Sequence, residues 1–159
     1  MKKVLICTVG GTLPPLVKSI ESFNPELLYL VASRDTIDLA VELKKKAREI
    51  SSECRVEIEQ VENPEALQDC FEKTRKVVLK AASVQDGLVR VDYTGGTKSM
   101  SAAAVLATAD FRFEYVYTGG EKRDRDNVGR VLDGYEKLLK MPVPLSYLQS
   151  SELEHVRQL

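Results

Sequence analysis

Three stretches of this chain set glycine pairs among hydroxyls. TVGGT runs from Thr8 to Thr12, YTGGT from Tyr93 to Thr97, and YTGGE from Tyr117 to Glu121; together they hold six of the nine glycines. Glycine lets a backbone approach a ligand closely and turn its N–H groups outward. The second stretch continues into KSM, so Lys98 adds a cation directly after Thr97. Backbone donors, a cation and a following helix amino terminus suit the holding of an anion, phosphate above all. Glycine pairs also make ordinary turns, and one such loop alone decides nothing.

The elements around these loops alternate in kind. Val4 to Thr8, Leu27 to Ala32, Arg55 to Val61, Leu88 to Tyr93 and Phe113 to Thr118 read as strands. VLICT and LLYLVA are almost unbroken apolar runs, the pattern of strands covered on both faces. Pro14 to Phe23, Thr36 to Ile50, Pro64 to Ala82 and Thr97 to Ala109 read as helices, with Asp35 and Asn63 at cap positions. Five strands alternating with helices predict an α/β, doubly wound, Rossmann-like fold with a mostly parallel sheet. The glycine pairs then fall at the carboxyl ends of the first, fourth and fifth strands. That is the edge where open α/β sheets bind ligands, and the first and fourth strands flank the switch point in the commonest order.

After Gly120 the pattern changes. A charged loop leads to VGRVL, then Asp133-Gly134, then YEKLL, which predicts a carboxy-terminal β-hairpin. A short terminal helix is expected to begin near Ser150 or Ser151. Residues 1–145 form the expected ligand-binding domain and residues 146–159 a terminal linker or short helix. The helix after Lys98 is mostly small residues, so Ala102 to Ala109 read as close packing; Met100 and Ser101, on its first turn, either share that packing or border a pocket.

Composition narrows the chemistry. The net charge of −1 over 159 residues disfavours a general nucleic-acid binder, which needs a broad phosphate-neutralising surface. Cys7, Cys54 and Cys70 are scattered in apolar patterns and read as core thiols, and His155 is the single histidine, so no metal and no cofactor is expected. No apolar run reaches the roughly 18 to 20 residues of a membrane span, and the amino terminus is too short for a signal peptide; a cytoplasmic protein is expected. Thr97 stands where a Walker loop needs glycine before its lysine, and G-x-G-x-x-G, G-x-S-x-G, HExxH and an Arg-x4-His pair are all missing.

VLICTVGGTLPPLVKSI, VDYTGGTKSMSAAA and VYTGGEKRDRDNVGRVLDG together resemble the CRISPR-associated Rossmann-fold (CARF) sensor domains of type III systems, over roughly the first 145 residues. The resemblance implies a homodimeric receptor for cyclic oligoadenylate, held across the twofold axis by the loops after the first and fourth strands. Carried onto this sequence, the contacts would be Thr8, Gly10, Gly11 and Thr12, then Thr94, Gly95, Gly96, Thr97 and Lys98, with Ser99, Met100 and Ser101 behind them. Gly119, Gly120, Arg34 and Arg123 are further candidates, with Lys122 and Arg125 beside the last. Cyclic tetra-adenylate is the expected ring, since its four phosphates and even symmetry suit an isologous dimer.

Most such receptors carry an effector on the same chain, so this one is expected to be a truncated sensor or a stand-alone protein with an effector partner. An alternative is a metal-independent ring nuclease, in which Lys98, Thr12 and Thr97 would align the ribose 2′-hydroxyl and steady the developing charge. No pocket general base is evident, so such turnover should be slow. A second alternative is a dinucleotide-binding domain, weakened by the absent fingerprint although Asp35 follows the second strand.

Overall fold

The computed structural model describes residues 1–120, 126, 131, 132, 134 and 136–141. A six-stranded sheet runs in the order β3-β2-β1-β4-β5-β6. Its strands are β1 (Lys2–Thr8), β2 (Leu27–Ser33), β3 (Arg55–Val61), β4 (Gly87–Asp92), β5 (Glu114–Gly120) and β6 (Glu136–Met141). The first five are parallel and β6 returns antiparallel to β5. The fold is α/β, Rossmann-like, as the alternation predicts.

Strand alternation assigns the two layers. Val4 and Ile6 of β1 and Tyr29 and Val31 of β2 face α3 (Leu67–Ala82) and α4 (Lys98–Thr108), meeting Val77, Val78, Ala103 and Ala107. Leu5, Cys7, Leu28 and Leu30 face the other way, onto Leu16 and Ile20 of α1 (Pro14–Phe23) and Leu43 of α2 (Ile37–Ile50). β1 and β2 are buried on both faces, which is why their sequences lack polar alternation. β3 is an edge strand and its RVEIEQV alternates accordingly. Cys7, Cys54 and Cys70 are buried free thiols. No helix among the described residues is long and apolar enough to cross a membrane.

The boundaries depart from expectation in three places. α3 begins at Leu67 rather than Pro64, because Asn63 makes a turn: its Oδ1 accepts from Glu65 N and its carbonyl from Ala66 N. α2 is preceded by a 3-10 turn, Arg34–Thr36, closed by Ser33 and the Thr36 hydroxyl at 3.0 Å, so Asp35 does not cap. The third glycine pair does not form a loop. Gly119 and Gly120 are the last residues of β5, opposite Lys137 and Glu136 of β6. The hairpin's second arm is β6; the first arm, residues 128–132, and the terminal helix fall largely or wholly outside the described residues.

Candidate functional site

The winding reverses between β1 and β4, which lie side by side with Cys7 opposite Asp92. Their loops leave the sheet in contact. A Cβ at Gly10 would stand 2.8 Å from the Gly96 nitrogen, and one at Gly95 would stand 2.6 Å from the Gly10 nitrogen and closer still to the Thr8 carbonyl. Side chains at either position would push the loops apart, so these glycines serve close approach. Gly96 has φ +87°, a left-handed conformation that glycine adopts without strain. Between the loops lies a cleft of about 240 Å³. Gly10, Gly11, Thr12, Pro15 and Leu16 line one side; Thr94, Gly95, Gly96, Tyr117, Thr118 and Val131 line the other.

The hydroxyls of the β4–α4 loop and of the first turn of α4 bond to the protein itself. Thr94 Oγ1 donates to Asp92 Oδ1, and Asp92 Oδ1 also accepts from Thr94 N at 2.9 Å. Thr94 Oγ1 in turn accepts from Thr118 N at 2.7 Å. Thr97 caps α4: its hydroxyl accepts from Met100 N at 3.2 Å and donates to the Pro64 carbonyl. Ser99 donates to the Glu65 carbonyl at 2.9 Å, and Ser101 to the Gly95 carbonyl at 3.2 Å. A phosphate needs donors, and a hydroxyl has one hydrogen to give. These four give theirs to the protein.

What remains at the surface is narrower than the sequence implied. Lys98 is exposed on the first turn of α4, and among the described residues no ion pair or hydrogen bond engages its ammonium. Thr12 is half-buried at the cleft with its hydroxyl unengaged by the described residues, and Gly11 has nothing within 4 Å of a would-be Cβ. Backbone N–H groups of the glycine loops and the α4 amino terminus complete the set. Met100 is 1% exposed and packs beneath Gly96, inside the core rather than along the cleft. Thr8 is fully buried, its hydroxyl without a partner among the described residues. Arg34 lies apart at the end of β2, 4.0 Å from Glu62, and Gly119 packs on Tyr117 and Leu139. Arg123, with Lys122 and Arg125, lies outside the described residues.

Asp92 escaped the sequence reading as a site residue. It is wholly buried, and burial lifts its carboxyl above the ordinary value, while Ser19 on α1, Thr94 and the charge of Arg90 pull it back down. Ser19 Oγ and Asp92 Oδ2 are both buried with no hydrogen-bond partner among the described residues. The signal was present: an acid ends the apolar run of β4 two residues before a threonine, the spacing of an Asx turn. Pro64 and Glu65 act through their carbonyls, which no residue type announces. Among the described residues no cluster of three or more His, Cys, Asp or Glu side chains is placed to hold a metal.

A larger concavity, about 880 Å³, opens at the opposite, amino edge of the sheet. Its walls carry charges of both signs, including Lys80 and Glu57 paired at 2.8 Å. Glu26, Glu53 and Glu57 stand among its basic residues, so its lining does not favour an anion as the glycine loops do.

No family model and no curated protein matches the sequence. Solved structures do match the fold. Csm6 of Enterococcus italicus, bound to cyclic hexa-2′-fluoro-hexa-dAMP, superimposes with a TM-score of 0.77 at 12% identity, over 99% of this chain and 46% of that one. A type III CRISPR defence DNA nuclease activated by cyclic oligoadenylate gives 0.63 at 20% identity, over 77% of this chain and 19% of that one. Can2 from Sulfobacillus thermosulfidooxidans, in complex with cyclic tetra-adenylate, gives 0.58 at 18%, over 74% and 32%. The chain thus spans less than half the length of each, and what it shares with them is the α/β fold.

Proposed function

We propose that this chain is a sensor of cyclic oligoadenylate in type III CRISPR defence, with cyclic tetra-adenylate as its ring. The observation that carries this reading is the backbone contact between the Gly10–Gly11 and Gly95–Gly96 loops, with Lys98 and the α4 amino terminus beside it. It builds a phosphate cradle at the switch point, and three structures with this fold are described as binding, or being activated by, such rings.

Size supports a homodimer. A cleft of about 240 Å³ falls below the roughly 300–1,000 Å³ of ordinary ligand pockets, and a ring of four nucleotides needs more. Two copies, each offering both loops, supply it. Lys98, Ala102 and Leu106 share an exposed face of α4 running away from the cleft, and Leu106 is 52% exposed. An apolar strip that starts at the site suits a second copy. The bound state then signals to an effector, on a longer chain or on a partner.

Sensing ranks above ring cleavage because the Thr97 hydroxyl is engaged at both ends, leaving, of the three candidates and among the described residues, Lys98 and Thr12 for any alignment of the 2′-hydroxyl. Calorimetric titration with cyclic tetra-adenylate tests the proposal. It predicts saturable binding at one ring per two chains, with the ring recovered intact by chromatography; no heat and no thermal shift with rings of four or six would reject it.

A further inference from the structure

The β4–β5 ladder ends at Asp92 opposite Val116. Two residues on, Thr118 N finds its partner in the Thr94 hydroxyl at 2.7 Å, so a side chain supplies the next rung of the sheet. That hydroxyl is oriented by Asp92, which takes its hydrogen and the Thr94 N–H on the same oxygen. Asp92, at 0% exposure, touches nothing outside the protein. Burying a carboxylate among Cys7, Ser19 and the apolar side chains of α1 costs several kcal/mol unless hydrogen bonds compensate. A residue that serves packing alone at this position would be apolar.

We infer that Asp92 and Thr94 are positioning residues: Asp92 orients the Thr94 hydroxyl, which clamps the β4–α4 loop to β5 and so aims the Gly95 and Gly96 amides at the cleft. Thr94 therefore acts on a ligand through the shape of the loop. Its one hydroxyl hydrogen is taken by Asp92 and cannot also reach a phosphate oxygen. The clamp also joins two of the glycine-bearing stretches, YTGGT and YTGGE, through Thr94 and Thr118. This inference rests on the proposed binding of cyclic oligoadenylate for its functional readout, while its structural readout does not need a ligand.

The test is a double-mutant cycle on the full chain with two readouts: hydrogen exchange at the Thr118 amide without ligand, and calorimetric affinity for cyclic tetra-adenylate. Thr94→Val keeps the shape and removes the hydroxyl; Asp92→Ala removes its orienting acceptor. Each is expected to speed exchange at Thr118 at least tenfold and to weaken binding about tenfold. The double variant should be no weaker than the worse single one, because both break one device. Thr94→Ser should restore both readouts to within threefold. Unchanged protection at Thr118 in Thr94→Val would overturn the inference, as would losses in affinity that multiply in the double variant, which would mark Thr94 as an independent ligand contact. If Asp92→Ala does not fold, the Thr94→Val and Thr94→Ser pair decides on protection alone. If the parent protein binds no ring, the functional proposal falls while Thr118 exchange still judges the clamp.

Discussion

The two loops that meet at the switch point are built in opposite ways. The β4–α4 loop is held from within: Thr94, Thr97, Ser99 and Ser101 all bond to other parts of the protein, and Thr97 caps the helix that follows. The β1–α1 loop is anchored as far as Gly10, where Val9 N donates to the Val31 carbonyl at 2.8 Å, and is held by little beyond it. Leu13 stands at the cap of α1 with no side-chain bond, prolines begin the helix, Gly11 faces open space and Thr12 lines the cleft. One loop is a fixed wall and the other an open one. The proposed receptor role gains from this division, since a rigid wall presents its amides without ordering cost on binding, while a freer wall can adapt to a ligand.

The largest effect should come from the seam between the walls. Gly95→Ala drives a Cβ into the Thr8 carbonyl and to 2.6 Å from the Gly10 nitrogen, backbone that has nowhere to move. Thermal unfolding should show a loss of ~3 kcal/mol, and ring binding should disappear. Gly11→Ala, on the open wall, meets nothing within 4 Å and should leave stability within ~0.5 kcal/mol. Equal stability of the two variants would end the comparison.

Next comes the split between contact and support within the fixed wall. Lys98→Ala should weaken cyclic tetra-adenylate more than tenfold, about 1.4 kcal/mol, and leave unfolding unchanged. Thr97→Val should do the reverse in the first instance, lowering stability by ~1 kcal/mol through loss of the α4 cap. Paired unfolding and titration curves separate the two, and a Lys98→Ala protein that binds like the parent would remove the lysine from the cradle.

The smallest effect concerns pH. Burial raises the Asp92 carboxyl above its unfolded value, so the folded state holds that proton more tightly than the unfolded chain does. Stability from this group is greatest below the unfolded pKa, near 4 for a free aspartate, and declines as pH rises through the folded pKa. The Asp92→Asn variant lacks that decline. Denaturant midpoints should therefore shift in its favour, relative to the parent, as pH rises from about 4 to neutrality; a shift toward the parent would mean that the hydrogen bonds from Thr94 outweigh burial.

The fold was legible because its central strands are written as continuous apolar runs and its helices carry plain periodicity. The position of the cleft was legible too, since Gly10, Gly11, Gly95 and Gly96 sit where strands end. The roles of the hydroxyls were not. Thr97 and Ser99 meet the carbonyls of Pro64 and Glu65, 33 and 34 residues away, and no local pattern encodes such partners. YTGGE read as a third loop because the pairing of Gly119 and Gly120 with β6 is made across a long connection. Asp92 looked like the polar end of a strand until its burial under α1 and its bonds to Thr94 were visible.

The central claim is that the carboxyl edge, and not the larger amino-edge concavity, receives a cyclic oligoadenylate on glycine amides. Backbone amide shifts during titration with cyclic tetra-adenylate measure it directly. The account predicts the largest changes at Gly10, Gly11, Gly95 and Gly96, with the amides of Lys2, Glu26 and Lys80 unmoved. Shifts concentrated at the amino edge, or none at the four glycines under saturating ring, would contradict it.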